Sequence, residues 1–105
     1  MTSNQRAQEL EDRLVDFAVR IVSVADALPK TYSGQHFARQ IVRSGSAPAL
    51  NYGEARGSES NKDFRHKIAI ALKELRETHI NLKIIGRSNL LTSNELVEIS
   101  DENNQ

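Results

Sequence analysis

The sequence predicts an all-α fold, an antiparallel up-down four-helix bundle. Three observations carry that expectation. Apolar residues recur at alternating steps of three and four over long stretches, the period of a helix with one buried face. The connections between these stretches are short and contain caps, glycine or proline. No stretch alternates apolar and polar residues in the way a half-buried strand does.

The first helix is expected over about residues 8–28. Leu10, Leu14, Phe17, Ile21, Val24 and Leu28 form its seam, and Pro29 disfavours helical geometry at the residue before it. A second stripe, Val15, Ala18, Val22 and Ala25, lies roughly 100° around the same helix. Pro29–Gly34 reads as a connection with Thr31 or Ser33 as N-cap. The second helix is expected over about 35–58, anchored by Phe37 and Ile41 and then unusually small and polar, with a kink or split near Pro48. Ser60 with Asp63 opens a third helix over 61–87, in which Phe64, Ile68, Ala71, Leu75, Thr78, Leu82 and Ile85 keep the seam. Gly86 and Asn89 supply its stop. Thr92 with Glu95 forms a capping box for a short fourth helix over about 93–102, carrying Leu96 and Ile99. Ile80 and Ile84 fall opposite the third helix's seam. Together with Val15 and Val22 they suggest an oligomer surface.

Length and composition narrow the function classes. At 105 residues the chain fits one domain, 1–105. The absence of cysteine removes disulfides, thiolate nucleophiles and cysteine-based zinc sites. No apolar run approaches the ~20 residues of a membrane span. The polar start, Met1–Asp12, does not resemble a secretory signal, so a cytoplasmic location is expected. Net charge is zero, yet unevenly spread: residues 1–35 carry four basic and five acidic groups, 36–87 ten and five, and 88–105 none and four. A basic middle therefore lies between acidic ends.

The run Q-I-V-R-S-G-S-A-P-A-L-N-Y-G-E-A-R-G-S-E-S over 40–60, followed by K-D-F-R-H-K-I-A-I-A-L-K-E-L-R-E-T, closely resembles the four helix bundle protein family, also called the ribosomal-RNA intervening-sequence proteins. L-E-D-R-L-V-D-F-A-V-R-I and A-L-P-K-T-Y add to the resemblance, which covers about residues 9–99. It implies a four-helix bundle assembling as a ring-like homopentamer, without enzymatic activity or cofactor. Members are encoded within intervening sequences of bacterial large-subunit ribosomal RNA genes or elsewhere. A related branch serves as the accessory protein of diversity-generating retroelements and binds reverse transcriptase and nucleic acid. The family's motif positions fall here on Arg43, Ser44, Asn51 and Glu54, and on Asp63, Phe64, Lys67, Lys73, Glu74 and Glu77. The chain departs in having Asn81 before Leu82, where members often have Trp, and in its neutrality beside the strongly basic retroelement branch.

Buried charges must pair or hydrogen-bond. Arg43, Ser44, Asn51 and Glu54 are therefore expected to meet Lys73, Glu74 and Glu77 in a polar layer or subunit contact. Glu74-x-x-Glu77 and Glu95-x-x-Glu98 together resemble the Mg²⁺ cage of helical nucleotide pyrophosphohydrolases, a distant alternative. Asp63-x-x-His66 is half of a di-iron pattern without a second copy, and His36, His66 and His79 are widely separated. No metal, catalytic site or small-molecule substrate is expected. Among the basic residues of the middle segment, Arg39, Arg56, Lys62, Arg65 and Lys67 are candidate phosphate contacts, which makes nucleic acid an alternative partner to further copies of the chain. With few aromatics available, sequence-specific readout of single strands is not expected.

Overall fold

A computed structural model describes residues 1–91, which form three α-helices: α1 (Ser3–Ala27), α2 (Tyr32–Arg56) and α3 (Asn61–Arg87). The segment expected to form a fourth helix, about 93–102, lies outside the described residues. The described fold is therefore all-α with three helices in place of the four expected.

Each helix starts where a side chain satisfies an orphan backbone donor. α1 begins at Ser3, earlier than the expected residue 8, because Thr2 and Gln5 close a capping box. The Thr2 hydroxyl accepts from the Gln5 N–H at 3.1 Å, and the Gln5 side-chain oxygen accepts from the Thr2 N–H at 2.8 Å. Thr31 caps α2 by accepting from the Gly34 N–H at 3.1 Å, so that helix begins at Tyr32 rather than about residue 35 and ends at Arg56 rather than 58. Ser60 caps α3 through the Asp63 N–H at 3.1 Å, and this helix has the predicted bounds.

The end of α3 is a Schellman turn. Asn89 adopts φ 58°, the Asn89 N–H donates to the Gly86 carbonyl and the Leu90 N–H to the Ile85 carbonyl, each at 3.2 Å. Leu90 and Leu91 then fold back against the core. Gly86 is itself helical, so Asn89 alone supplies the left-handed residue.

α2 is the middle element. Its contacts with α1 run from Gly45 against Ile21 to Arg56 against Glu11. Those with α3 run from Arg43 against Glu77 to Glu54 against Lys67. As the α2 number rises, each partner's number falls, so α2 is antiparallel to both flanking helices. α1 and α3 are thereby parallel, and their backbones do not approach each other closely. Small residues make this possible. A Cβ on Gly45 would lie 2.7 Å from a methyl of Ile21, and one on Gly34 would lie 1.9 Å from the Pro29 carbonyl oxygen.

α2 also runs unbroken through Pro48, where a split was one expectation. Pro48 has no N–H to offer the Ser44 carbonyl. Its ring is fully buried, and that burial offsets part of the lost hydrogen bond.

The core gathers at one end of the molecule. Phe17, Ile21, Val24, Ala25 and Leu28 of α1 and its C-terminal boundary meet Ile41 of α2 and Leu82 and Ile85 of α3, with Phe37 and Leu75 against them. Toward the other end the same seams are less covered. The seam residues Leu10 and Phe64 are exposed there, and beside the seam Leu72 is 61% exposed. No helix of the described residues is long and apolar enough to cross a membrane.

Candidate functional site

The polar residues of the α2–α3 contact form a layer with a buried and an exposed half. In the buried half, Ser44 and Thr78 are both completely shielded and their hydroxyl oxygens lie 2.8 Å apart. The Thr78 oxygen is also 2.8 Å from the Glu74 carbonyl, which can only accept. Thr78 has one proton, so it donates to that carbonyl and receives the Ser44 proton in turn. In the exposed half, the Arg43 guanidinium pairs with Glu74 at 3.0 Å and also binds Glu77. Its second nitrogen reaches the Gln40 amide oxygen at 3.4 Å. The Glu74 side chain is 13% exposed and that of Glu77 37%, so the stricter demand for a partner comes from Glu74.

The other residues expected in this layer go elsewhere. Asn51 turns back on its own helix and donates to the Ala47 carbonyl at 2.9 Å. Glu54 pairs with Lys67 at 3.6 Å, one end of the helix pair away from Arg43. Lys73 is exposed on the far side of α3. The layer that the helices assemble is therefore Arg43, Ser44, Glu74 and Glu77, and it includes Thr78. The sequence pattern places Thr78 only in the seam, although a threonine among apolar seam residues is itself a sign of a buried hydroxyl needing a partner.

The candidate phosphate contacts divide in two. Arg56 is engaged by α1: it donates to Gln8 at 3.1 Å, Glu11 at 3.2 Å and Asn4 at 3.1 Å. Lys67 holds Glu54. Arg39, Lys62 and Arg65 are exposed.

Both carboxylates of Glu74-x-x-Glu77 face one guanidinium, an arrangement that opposes a metal cage. Glu95 and Glu98 lie outside the described residues. Among the described residues no cluster of three potential ligands is arranged to hold a metal ion. His66 is exposed, and His36 sits edge-on to Phe37 with ring centroids 5.0 Å apart. His79 has a shielded Nδ1 with no hydrogen-bond partner among the described residues.

Two apolar features remain uncovered. Val15, Val19 and Val22 stand on α1, with Val19 60% exposed; Ile80 and Ile84 stand on α3, with Ile80 49% exposed. On a 100° helical step the valines lie some 140° from the centre of the buried face of α1. A stripe traced through Ala18 passes Val19 by, which is why the sequence pattern does not single it out. Between α1 and α3, over α2, lies a mostly apolar cavity of about 270 Å³ walled by Leu10, Leu14, Phe17, Pro48, Tyr52, Ile68, Ala71, Leu72 and Leu75, with Arg13 as its charged member.

Comparison with known proteins agrees with this architecture. A crystal structure from Bacteroides thetaiotaomicron, of a protein of unknown function from the S23 ribosomal protein family, superposes with a TM-score of 0.84. It is 33% identical over 90% of this chain and 87% of its own. No curated protein sequence matches the chain. Residues 6–105 match the sequence pattern described as 23S rRNA-intervening sequence protein. With that match spanning nearly the whole chain and a structural relative of the same shape, the chain belongs to the 23S rRNA-intervening sequence protein family.

Proposed function

We propose that this protein is a non-catalytic assembly module, a four-helix bundle that associates with copies of itself, in a ring of five, and serves as a scaffold. The observation that carries this reading is the pair of exposed aliphatic rows, Val15, Val19 and Val22 on α1 and Ile80 and Ile84 on α3. Rows of that kind flanking a middle helix are what a second subunit covers. The polar groups at the α2–α3 contact are engaged with one another, which suits a register-fixing role better than one in chemistry.

Light scattering tests the assembly. A single chain weighs 11.8 kDa and five copies about 59 kDa. Val19→Lys with Ile80→Lys should lower the mass and leave the helical circular dichroism unchanged. A wild-type mass of one chain at micromolar concentration would overturn the reading.

A further inference from the structure

The aliphatic rows of α1 and α3 each run beside charges of one sign, and the two signs are opposite. On a 100° helical step, Glu9, Asp12, Asp16 and Asp26 of α1 share a sector of about 100°, next to Val15, Val19 and Val22. The α1 cations Arg6, Arg13 and Arg20 fall outside that sector. On α3, Arg65, Lys73, Arg76 and Lys83 share a sector of about 80° that takes in Ile80 and borders Ile84. The α3 acids Asp63, Glu74 and Glu77 fall outside that one. The charged residues of both rows are exposed. A chain of zero net charge thus carries an acidic row on one flanking helix and a basic row on the other.

The two rows also stand at the same height. α1 and α3 are parallel, and Ile21 and Thr78 mark one level, since Gly45 packs on Ile21 while its neighbour Ser44 bonds Thr78. At 1.5 Å per residue, Glu9 lies about 18 Å before that level and Asp26 about 8 Å past it. Arg65 lies about 20 Å before it and Lys83 about 8 Å past it.

We propose that the acidic row of α1 in one copy pairs with the basic row of α3 in the next, so that charge decides which faces of the assembly meet. This pairing presupposes the self-association proposed above and assigns its two surfaces. Contact of α1 with α1, or of α3 with α3, would set like charges together and is suppressed. Rotation about an axis parallel to the helices leaves every height unchanged, so the rows meet without sliding. Such a contact is heterologous, and with no shift along the axis it closes into a ring instead of climbing into a filament. The aliphatic rows supply buried area, and the charges supply orientation.

Light scattering on the full chain, over a dilution series, reads the test. Asp12→Lys, Asp16→Lys, Asp26→Lys reverses one row, and Arg65→Glu, Arg76→Glu, Lys83→Glu reverses the other. Each triple removes three attractions and adds three repulsions. At a factor of about 2 for each exposed contact, association should weaken ~10²-fold, with the helical circular dichroism unchanged. Mixing the two triples in equal amounts should restore association, and all six changes in one chain should restore the wild-type mass. The off-row triple Arg6→Glu, Lys30→Glu, Arg39→Glu shifts net charge as the basic-row triple does and should keep the wild-type mass. Either row's triple keeping that mass, a mixture that stays apart, or an off-row triple that dissociates equally would overturn the pairing. So would wild-type association that is as strong at about 500 mM as at about 50 mM salt. Those results leave a multi-copy wild type standing, whereas a wild type of single-chain mass would overturn the self-association itself.

Discussion

Replacing Thr78 by Val should destabilise the fold more than replacing Ser44 by Ala, although the two side chains share one hydrogen bond. Both are fully buried. The proton order decides the asymmetry: Ser44 donates to Thr78, and Thr78 donates to the Glu74 carbonyl. Val at 78 keeps the shape but removes the acceptor, leaving a buried hydroxyl on Ser44 at about 1–3 kcal/mol. Ala at 44 removes only the outer donor. Thr78 still donates to Glu74, so the cost falls to the ~0.5–1.5 kcal/mol of one net hydrogen bond. In the double variant neither polar group remains, and its cost should be well below the sum of the singles, with a coupling of about 0.5–3 kcal/mol. Urea unfolding at fixed protein concentration measures all four corners of this cycle, with the m-value checked for constancy. For a chain of this size, 1 kcal/mol shifts Tm by roughly 4–8 °C, so the Thr78 variant is also resolved thermally. Equal single costs, or simple additivity, would refute the order Ser44 to Thr78 to Glu74.

Two further outcomes test the helix contacts. Gly45→Ala places a methyl 2.7 Å from an Ile21 methyl, and despite the better helix propensity of Ala it should destabilise by about 1–3 kcal/mol in thermal or urea unfolding. Arg56→Ala removes the three contacts that tie Asn4, Gln8 and Glu11 to α2, and should cost ~1 kcal/mol. It should also speed amide hydrogen exchange over residues 4–11 more than over α3, as exchange mass spectrometry would show.

The seams and caps are legible in the sequence because they obey local rules. Period, Thr31 and Ser60 locate α2 and α3 closely, and the pairing of Arg43 with Glu74 and Glu77 follows from the cost of an unpaired charge. The true start of α1 is not legible, because Thr2 and Gln5 precede no apolar run and their capping box has nothing nearby to announce it. Pro48 does not split α2, because local propensity counts the missing N–H, whereas the burial that offsets it depends on neighbours supplied by α1 and α3. Arg56 and Asn51 depart from expectation for a related reason. A long guanidinium can reach three partners and an amide can fold back on its own helix, and only the helix register settles which happens.

The placement of α2 between two helices whose backbones stay apart has a kinetic consequence. Among the described residues, close backbone approaches join only helices adjacent in the chain, so most loops closed on folding are short and contact order is low. Such a chain should fold in the microsecond-to-millisecond range. Either hairpin can form first, but both need α2, so the nucleus belongs at its middle, around Ser44 and Gly45. Changes there should slow folding, whereas changes at Arg56 or at the ends of α1 and α3 should mainly hasten unfolding.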